Sequence, residues 1–181
     1  IPIPASGTPG LSWPWRFWLR SGVCDRAFRV ILKMMPPEPP PPSLRLDVDS
    51  AALAANWRAL DRMSGGARAG AAVKADAYGT GSAQTVRALS AAGCRDFFIA
   101  HFGEYPAIAG LVDPAHISVL HGPLTPQDAA YASATGLRPT INSVRQAHLW
   151  HEAGGGPCDV MIDTGINRLG VAMGDIADPA I

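Results

Sequence analysis

The chain has 181 residues, 48 % of them apolar, with 15 basic and 15 acidic side chains and a formal net charge of zero. That length suffices for one domain with a real core, and so apolar a composition excludes a mainly disordered chain. The balanced charge excludes the basic excess expected of a nucleic-acid binder or of a protein held on an anionic membrane, and no uninterrupted apolar run is long enough to cross a bilayer.

Residues 1–42 differ from the rest. IPIPASGTPG is rich in proline and glycine, the next stretch mixes tryptophan with arginine without a clean period, and MPPEPPPP reads only as extended polyproline-like chain. Arg16, Arg20, Arg26 and Arg29 interrupt every candidate apolar centre of a secretory signal. The expectation is a start at Met34 or Met35, with 1–42 an irregular, disordered or non-native extension ahead of an organised region, 43–181. Cys24, Cys94 and Cys158 form no CxxC pair and no zinc spacing, so they read as reduced and incidental.

From Ser43 the pattern is regular. LRLDVD (44–49) alternates apolar and polar residues and predicts a strand. Asp49 or Ser50 caps a helix with Leu53, Trp57 and Leu60 as its buried stripe, ended by SGG at 64–66. GAAVKA predicts a strand buried on both faces. Ser82 caps a helix containing Val86 and Leu89 and closed by Gly93. DFFIA (96–100) is a strand, GEYPAIAGLV a short helix, and HISVLHG (116–122) a strand. Thr125 or Pro126 opens a helix over PQDAAYASA. LRPTIN (137–142) is a strand, Ser143 caps SVRQAHLWHEA, and CDVMIDTG (158–165) is the last strand. Strands alternating with helices predict a parallel α/β fold, either an open doubly wound sheet or a (β/α)8 barrel. No GxGxxG or GxxxxGK[ST] follows any strand, which weakens nucleotide-binding forms of the open sheet.

Only Lys33 and Lys74 are lysine; every other basic residue is arginine. Arginine supplies charge but never gives up its proton, whereas lysine can, and then serves as nucleophile or base. Lys74 stands at the C-terminal end of a strand, the functional end in both candidate architectures, and is therefore a candidate catalytic residue. His148 and His151, three apart on one helix, lack an acidic or cysteine partner at metal-binding spacing and read as helix surface, so no metal site is expected. His101 and His121 follow strands and read as structural. GGG at 154–156 precedes a strand, not a helix, and is a loop rather than a phosphate cradle.

AAVKADAYGTG (71–81) resembles the cofactor-lysine motif of the alanine racemase family. IDTGINRLG (162–170) resembles that family's second signature, and LRLDVDSAALAANWRAL its opening strand and helix. The resemblance runs from about Leu44 to Gly170. It implies a pyridoxal 5'-phosphate enzyme interconverting L- and D-alanine, supplying D-alanine for peptidoglycan, cytoplasmic and homodimeric, with an eight-stranded barrel followed by a β domain. It implies that Lys74 forms a Schiff base with the cofactor and then acts as acid–base group at the substrate Cα. Tyr78 would place its hydroxyl on the cofactor phosphate. Arg168 would sit near the substrate carboxylate and the cofactor's phenolic oxygen, which suits a planar, permanently charged fork.

The sequence departs from the family in two places. Met161 stands where many members carry a lysine that holds the arginine, and Thr80 where many have histidine. Few residues follow Gly170, so the expectation is a partial TIM-type barrel of about the first five strand–helix units. The later barrel strands, the β domain and the second catalytic base would be missing, and the piece would be inactive by itself. The alternatives are another barrel enzyme of the same cofactor, either a broad amino-acid racemase or a decarboxylase, and a non-catalytic pyridoxal-phosphate-binding protein.

Overall fold

The computed structural model describes residues 43–181. The expectations for 1–42, including Cys24, Lys33 and the start at Met34 or Met35, lie outside the described residues.

Five strands make one sheet: β1 (Ala71–Ala72), β2 (Phe97–Ile99), β3 (Ile117–Val119), β4 (Arg138–Ile141) and β5 (Asp159–Val160). All four pairings are parallel, and the order across the sheet is β1-β2-β3-β4-β5. A doubly wound sheet reverses direction at a switch point, whereas an unbroken sequential order is that of a barrel wall. The fold is thus the N-terminal sector of a (β/α)-barrel.

The helices follow the local signals closely. α1 (Ser50–Met63) is capped by Asp49, whose carboxylate accepts from the N–H groups of Ala51 and Ala52 at 2.9 and 3.0 Å. α3 (Pro126–Thr135) begins with a full capping box between Thr125 and Asp128, which satisfies two of the free donors of its first turn. α4 (Val144–Glu152) is capped by Ser143. α2 (Ser82–Ala92) ends at Gly93, whose φ of +114° is the left-handed conformation that glycine adopts without a Cβ clash.

Four local expectations outside the sheet are corrected. No strand forms over 44–49, and Leu46 is 68 % exposed. Alternation marks a face that could be buried, but a strand exists only where a neighbour takes its backbone bonds, and among the described residues β1 pairs with β2 alone. Leu60 does not join the buried stripe of α1: the helix packs through Ala54, Leu53 and Trp57, while Leu60 is 60 % exposed. Ser82 is the first helical residue of α2 and not its cap, which is Gly81. The segment after β2 is a 3-10 helix, Phe102–Ala107, with Pro106 inside it; proline has no N–H for an α-helical bond, and the tighter turn tolerates this.

The two faces of the sheet differ. On the outer face Val73, Phe97, Ile99, Ile117, Val119 and Ile141 are buried with Val86 and Leu89 of α2, Ala129 and Ala132 of α3, and Ala147 and Trp150 of α4. Each large side chain so buried contributes about 1.5–3 kcal/mol. The inner face is more polar. Ala72, Phe98, Ser118 and Arg138 align across the register. The Ser118 hydroxyl donates to Asp159 at 2.6 Å, and Arg138 Nε reaches the same carboxylate at 3.1 Å. β1 is therefore not buried on both faces as expected: Ala71 and Val73 are buried and Ala72 is exposed, because helices cover only the outer side.

Candidate active site

The chain leaves β1 abruptly. Val73 makes the last rung of the ladder, donating to the Phe98 carbonyl at 2.9 Å. Lys74 follows, and then Ala75, Asp76, Ala77 and Tyr78 all take left-handed dihedrals, with φ from 51° to 56°. The turn closes through Ala77 N–H to Val73 O at 2.9 Å and Gly79 N–H to Ala75 O at 3.1 Å. Left-handed helical backbone costs about 1–2 kcal/mol for each L-residue, so four in a row store roughly 4–8 kcal/mol that the surroundings must offset. Two carboxylates provide much of that offset. Asp76 Oδ1 accepts the Ser82 N–H at 2.7 Å, capping α2 from inside the turn, and the Asp76 carbonyl accepts from Gly81 N–H at 2.9 Å. Glu104 accepts the Ala75 N–H at 2.8 Å.

Lys74 opens into a cavity of about 280 Å³ at the C-terminal ends of the strands, near the lower end of the roughly 300–1,000 Å³ usual for ligand pockets. Its wall is Lys74 from the exit of β1, Ala100 after β2, Leu120 and His121 after β3, Met161 after β5, and Arg168 and Leu169 from the following loop. The basic side chains Lys74 and Arg168 line it and, among the described residues, no carboxylate does, while Ala100, Leu120 and Met161 supply apolar wall. Such a cavity favours an anionic ligand with an apolar body. A second, more open cavity of about 320 Å³ shares Arg168 and Leu169 and continues past Asn142, Ser143, Asp163 and Asn167.

The loop carrying Arg168 is shaped by Asp163, whose Oδ1 accepts from Gly165 N–H at 2.9 Å and Asn167 N–H at 3.0 Å. These two bonds stabilise the charged form and hold the Asp163 carboxyl below its ordinary range. Beyond the loop, Val171 N–H bonds to Met161 O at 2.7 Å, and Asp163 N–H to Val171 O at 3.0 Å, so both loop ends are tied together.

Lys74 and Arg168, ninety-four positions apart in sequence, therefore line one cavity. Tyr78 is in the left-handed turn, 67 % exposed, and is not among the residues lining that cavity. His148 and His151 are on the exposed face of α4, where His151 Nε2 donates to the Ala180 carbonyl at 3.1 Å. His121, read from sequence as structural, is on the cavity wall, and Met161 is there too. Sequence reasoning also missed Glu104 and Gln146. Gln146 is buried and ties the ends of β3 and β4, accepting from Asn142 N–H at 2.8 Å and donating to His121 O at 2.8 Å. The available signal was position: each follows a strand end by a few residues, within reach of the backbone groups that the finished ladder leaves over.

A parallel, sequentially ordered barrel wall with a lysine at the mouth of its first strand and an arginine on the same cavity defines a barrel-type α/β domain with a cationic ligand site. Residues 48–180 match the family described as alanine racemase, N-terminal domain, and the chain belongs to that family. Among curated proteins it is similar to alanine racemase of Rhizobium meliloti, 43 % identical over 77 % of this chain and 38 % of the relative. It is also similar to alanine racemase of Methylobacterium nodulans, 41 % identical over 75 % and 38 % of the two chains. Among solved structures it resembles alanine racemase from Bartonella henselae with covalently bound pyridoxal phosphate: TM-score 0.63, 30 % identity, 70 % of this chain and 38 % of that one. Biosynthetic alanine racemase from Pseudomonas aeruginosa gives a TM-score of 0.64 at 29 % identity, over 70 % and 36 %. The chain thus spans a little over a third of the length of these relatives. Among the described residues no helix is long and apolar enough to cross a membrane.

Proposed function

We propose that this chain is the part of a pyridoxal-phosphate-dependent alanine racemase that carries the cofactor lysine. The supporting observation is the shared cavity: the only lysine among the described residues lines the same cavity as Arg168. The residues fit the group. A primary amine is there for an aldehyde, the apolar wall of Ala100, Leu120 and Met161 suits the flat pyridine ring, and the cationic lining suits its phosphate and a substrate carboxylate. When bound, the cofactor supplies an electron sink for the pair left at the substrate Cα.

The chain's own residues do the rest. Lys74 Nζ would hold the cofactor through its aldehyde carbon and, once free, would take or return the Cα proton on its side of the substrate. Arg168, on the same cavity, would present parallel N–H donors to a carboxylate or to the cofactor's phenolic oxygen. Met161 beside it is uncharged, so the orientation of Arg168 depends on the loop that Asp163 braces. Tyr78, on the exposed turn that follows Lys74, would give its hydroxyl to the phosphate. Racemisation of alanine, a homodimer, a cytoplasmic setting and the supply of D-alanine for peptidoglycan belong to the same reading, as do the boundaries 1–42 and 43–181. It is supported by the family membership and by the curated relatives named above.

The test is covalent trapping. The chain is incubated with pyridoxal phosphate, reduced with borohydride, digested and mapped by mass spectrometry. Label concentrated on Lys74 over Lys33 is expected; equal label on both, or none on Lys74, would overturn the reading.

A further inference from the structure

We propose that Glu104 is a positioning residue for Lys74, tying the exits of β1 and β2 together so that the lysine is presented at a fixed point on the cavity. This rests on the reading of Lys74 as the cofactor lysine.

The argument begins with the sheet's hydrogen bonds. The donors of β1 alternate: Ala71 N–H bonds to Asp96 O at 2.8 Å, and Val73 N–H to Phe98 O at 2.9 Å. Continuing the ladder would give Ala75 N–H to the Ala100 carbonyl. That carbonyl accepts from His121 N–H at 2.9 Å and not from Ala75. Glu104 Oε1 receives the Ala75 N–H instead, at 2.8 Å, and Glu104 Oε2 receives the Ala100 N–H at 2.7 Å. One carboxylate thus replaces the next rung and binds both strand exits. Both are charge-assisted bonds, the stronger kind, from a side chain only 18 % exposed.

The position matters for two reasons. Ala75 is the residue after Lys74 and the first of the four left-handed residues. The turn has no glycine until Gly79, so its conformation must be imposed from outside, and the Ala75 bond imposes it at the first residue. Ala100 is itself on the cavity wall. The carboxylate therefore links the lysine's backbone to a wall against which its ligand lies. Glu104 is fixed in turn by the 3-10 helix Phe102–Ala107, its own N–H bonding to His101 O at 3.1 Å. His101 Nε2 is 3.8 Å from Oε1.

The experiment uses the full chain with Glu104→Ala and Glu104→Gln, each checked for folding by circular dichroism and worked well below its melting temperature. Glu104→Gln keeps the shape and one accepting oxygen but turns an N–H₂ toward a backbone donor. The rate of borohydride-trapped pyridoxyl label at Lys74 is measured with Lys33 as the internal reference. Misplacing a reacting group by about 1 Å can cost on the order of 100-fold; a fall of at least about 10-fold is expected in Glu104→Ala, with Glu104→Gln between it and wild type, and no change at Lys33. A merely structural glutamate would lower the melting temperature and leave the Lys74 rate in the folded protein alone, and wild-type rates in both folded variants would overturn the proposal. Failure of the underlying reading looks different: the wild-type chain itself would not prefer Lys74. If the variants do not fold, hydrogen exchange on the wild-type chain decides. An Ala75 amide as protected as that of Val73 supports the tie, and a freely exchanging Ala75 amide refutes it.

Discussion

Replacing Ala75 by glycine should stabilise the protein, although the same change inside an ordinary helix destabilises it. Ala75 is exposed and has φ 51° and ψ 50°, so its Cβ gains nothing from packing and meets its own backbone. Removing that Cβ relieves about 1–2 kcal/mol. The added freedom of glycine in the unfolded chain takes back about 0.4–1 kcal/mol. The net is a gain of roughly 1 kcal/mol, or about 3 °C in Tm for a domain of this size. Ala55, exposed in the interior of right-handed α1, is the control; Ala55→Gly should cost about 1 kcal/mol. Urea unfolding of the full chain, followed by circular dichroism, compares the two variants with wild type. The sign is the test. If Ala75→Gly loses stability as Ala55→Gly does, the turn after Lys74 is right-handed and the account of its bracing by Asp76 and Glu104 is wrong.

Gly122→Ala should abolish soluble expression or cost more than about 3 kcal/mol, since φ is +65° and the new Cβ would collide with the Thr140 carbonyl oxygen and with Gln146 Oε1 at 2.6 Å; expression and melting of the variant check this. Burial pushes the Cys94 thiol up to about 11, so iodoacetamide at mildly alkaline pH should label exposed Cys158 well before Cys94, read by mass spectrometry. The folded state holds the Cys94 proton more tightly than the unfolded chain, which ionises near about 8.5. This thiol's contribution therefore lowers stability as pH rises from there toward 11, measurable as a falling urea midpoint. The Asp163 carboxyl should titrate below the ordinary aspartate value of about 3.9 by NMR. Its stabilising effect is present above that value and disappears as pH falls through the folded-state one, at which point the Gly165 and Asn167 amide signals should shift together.

The sequence was most legible where one local interaction decides the outcome. Thr125 with Asp128, Ser143 and Asp49 each carry their capping oxygen, and each helix begins where they stand. The apolar runs around Phe97, Ile117 and Ile141 are strands because both chemistry and length leave little else. Lys74 was visible as a rare amine at a strand end, and the KADAYG and DTGINRLG motifs carried the family. What stayed hidden was set by neighbours distant in the chain. The 44–49 alternation promised a strand, but pairing is a property of two segments. The left-handed turn over 75–78 is contrary to the propensity of Ala75, Ala77 and Tyr78, and is braced by Asp76 bonding to Ser82 N–H beyond it and by Glu104 accepting Ala75 N–H from outside it. Glu104 lies twenty-nine positions beyond Ala75, and no periodicity connects them. His121 looked structural because nothing in the chain near it shows that β3 ends beside Lys74.

The sequential strand order also bears on how the chain acquires its structure during synthesis. Phe97 pairs with Ile117, Ser118 with Arg138, and Thr140 with Asp159, so each new strand meets a partner made about twenty residues earlier. Every addition closes a loop of similar modest length, and the entropic cost of closure rises only slowly with length. Contacts of that range favour fast folding for a parallel sheet, which is otherwise a slow topology. A ribosome releasing about 5–20 residues per second delivers one strand–helix unit every one to four seconds, and each can dock on a finished neighbour before the next emerges. Of the five strands described, the lysine strand is made first and the Arg168 loop follows the fifth, so Lys74 and Arg168 come to share a cavity only when the fifth unit has docked.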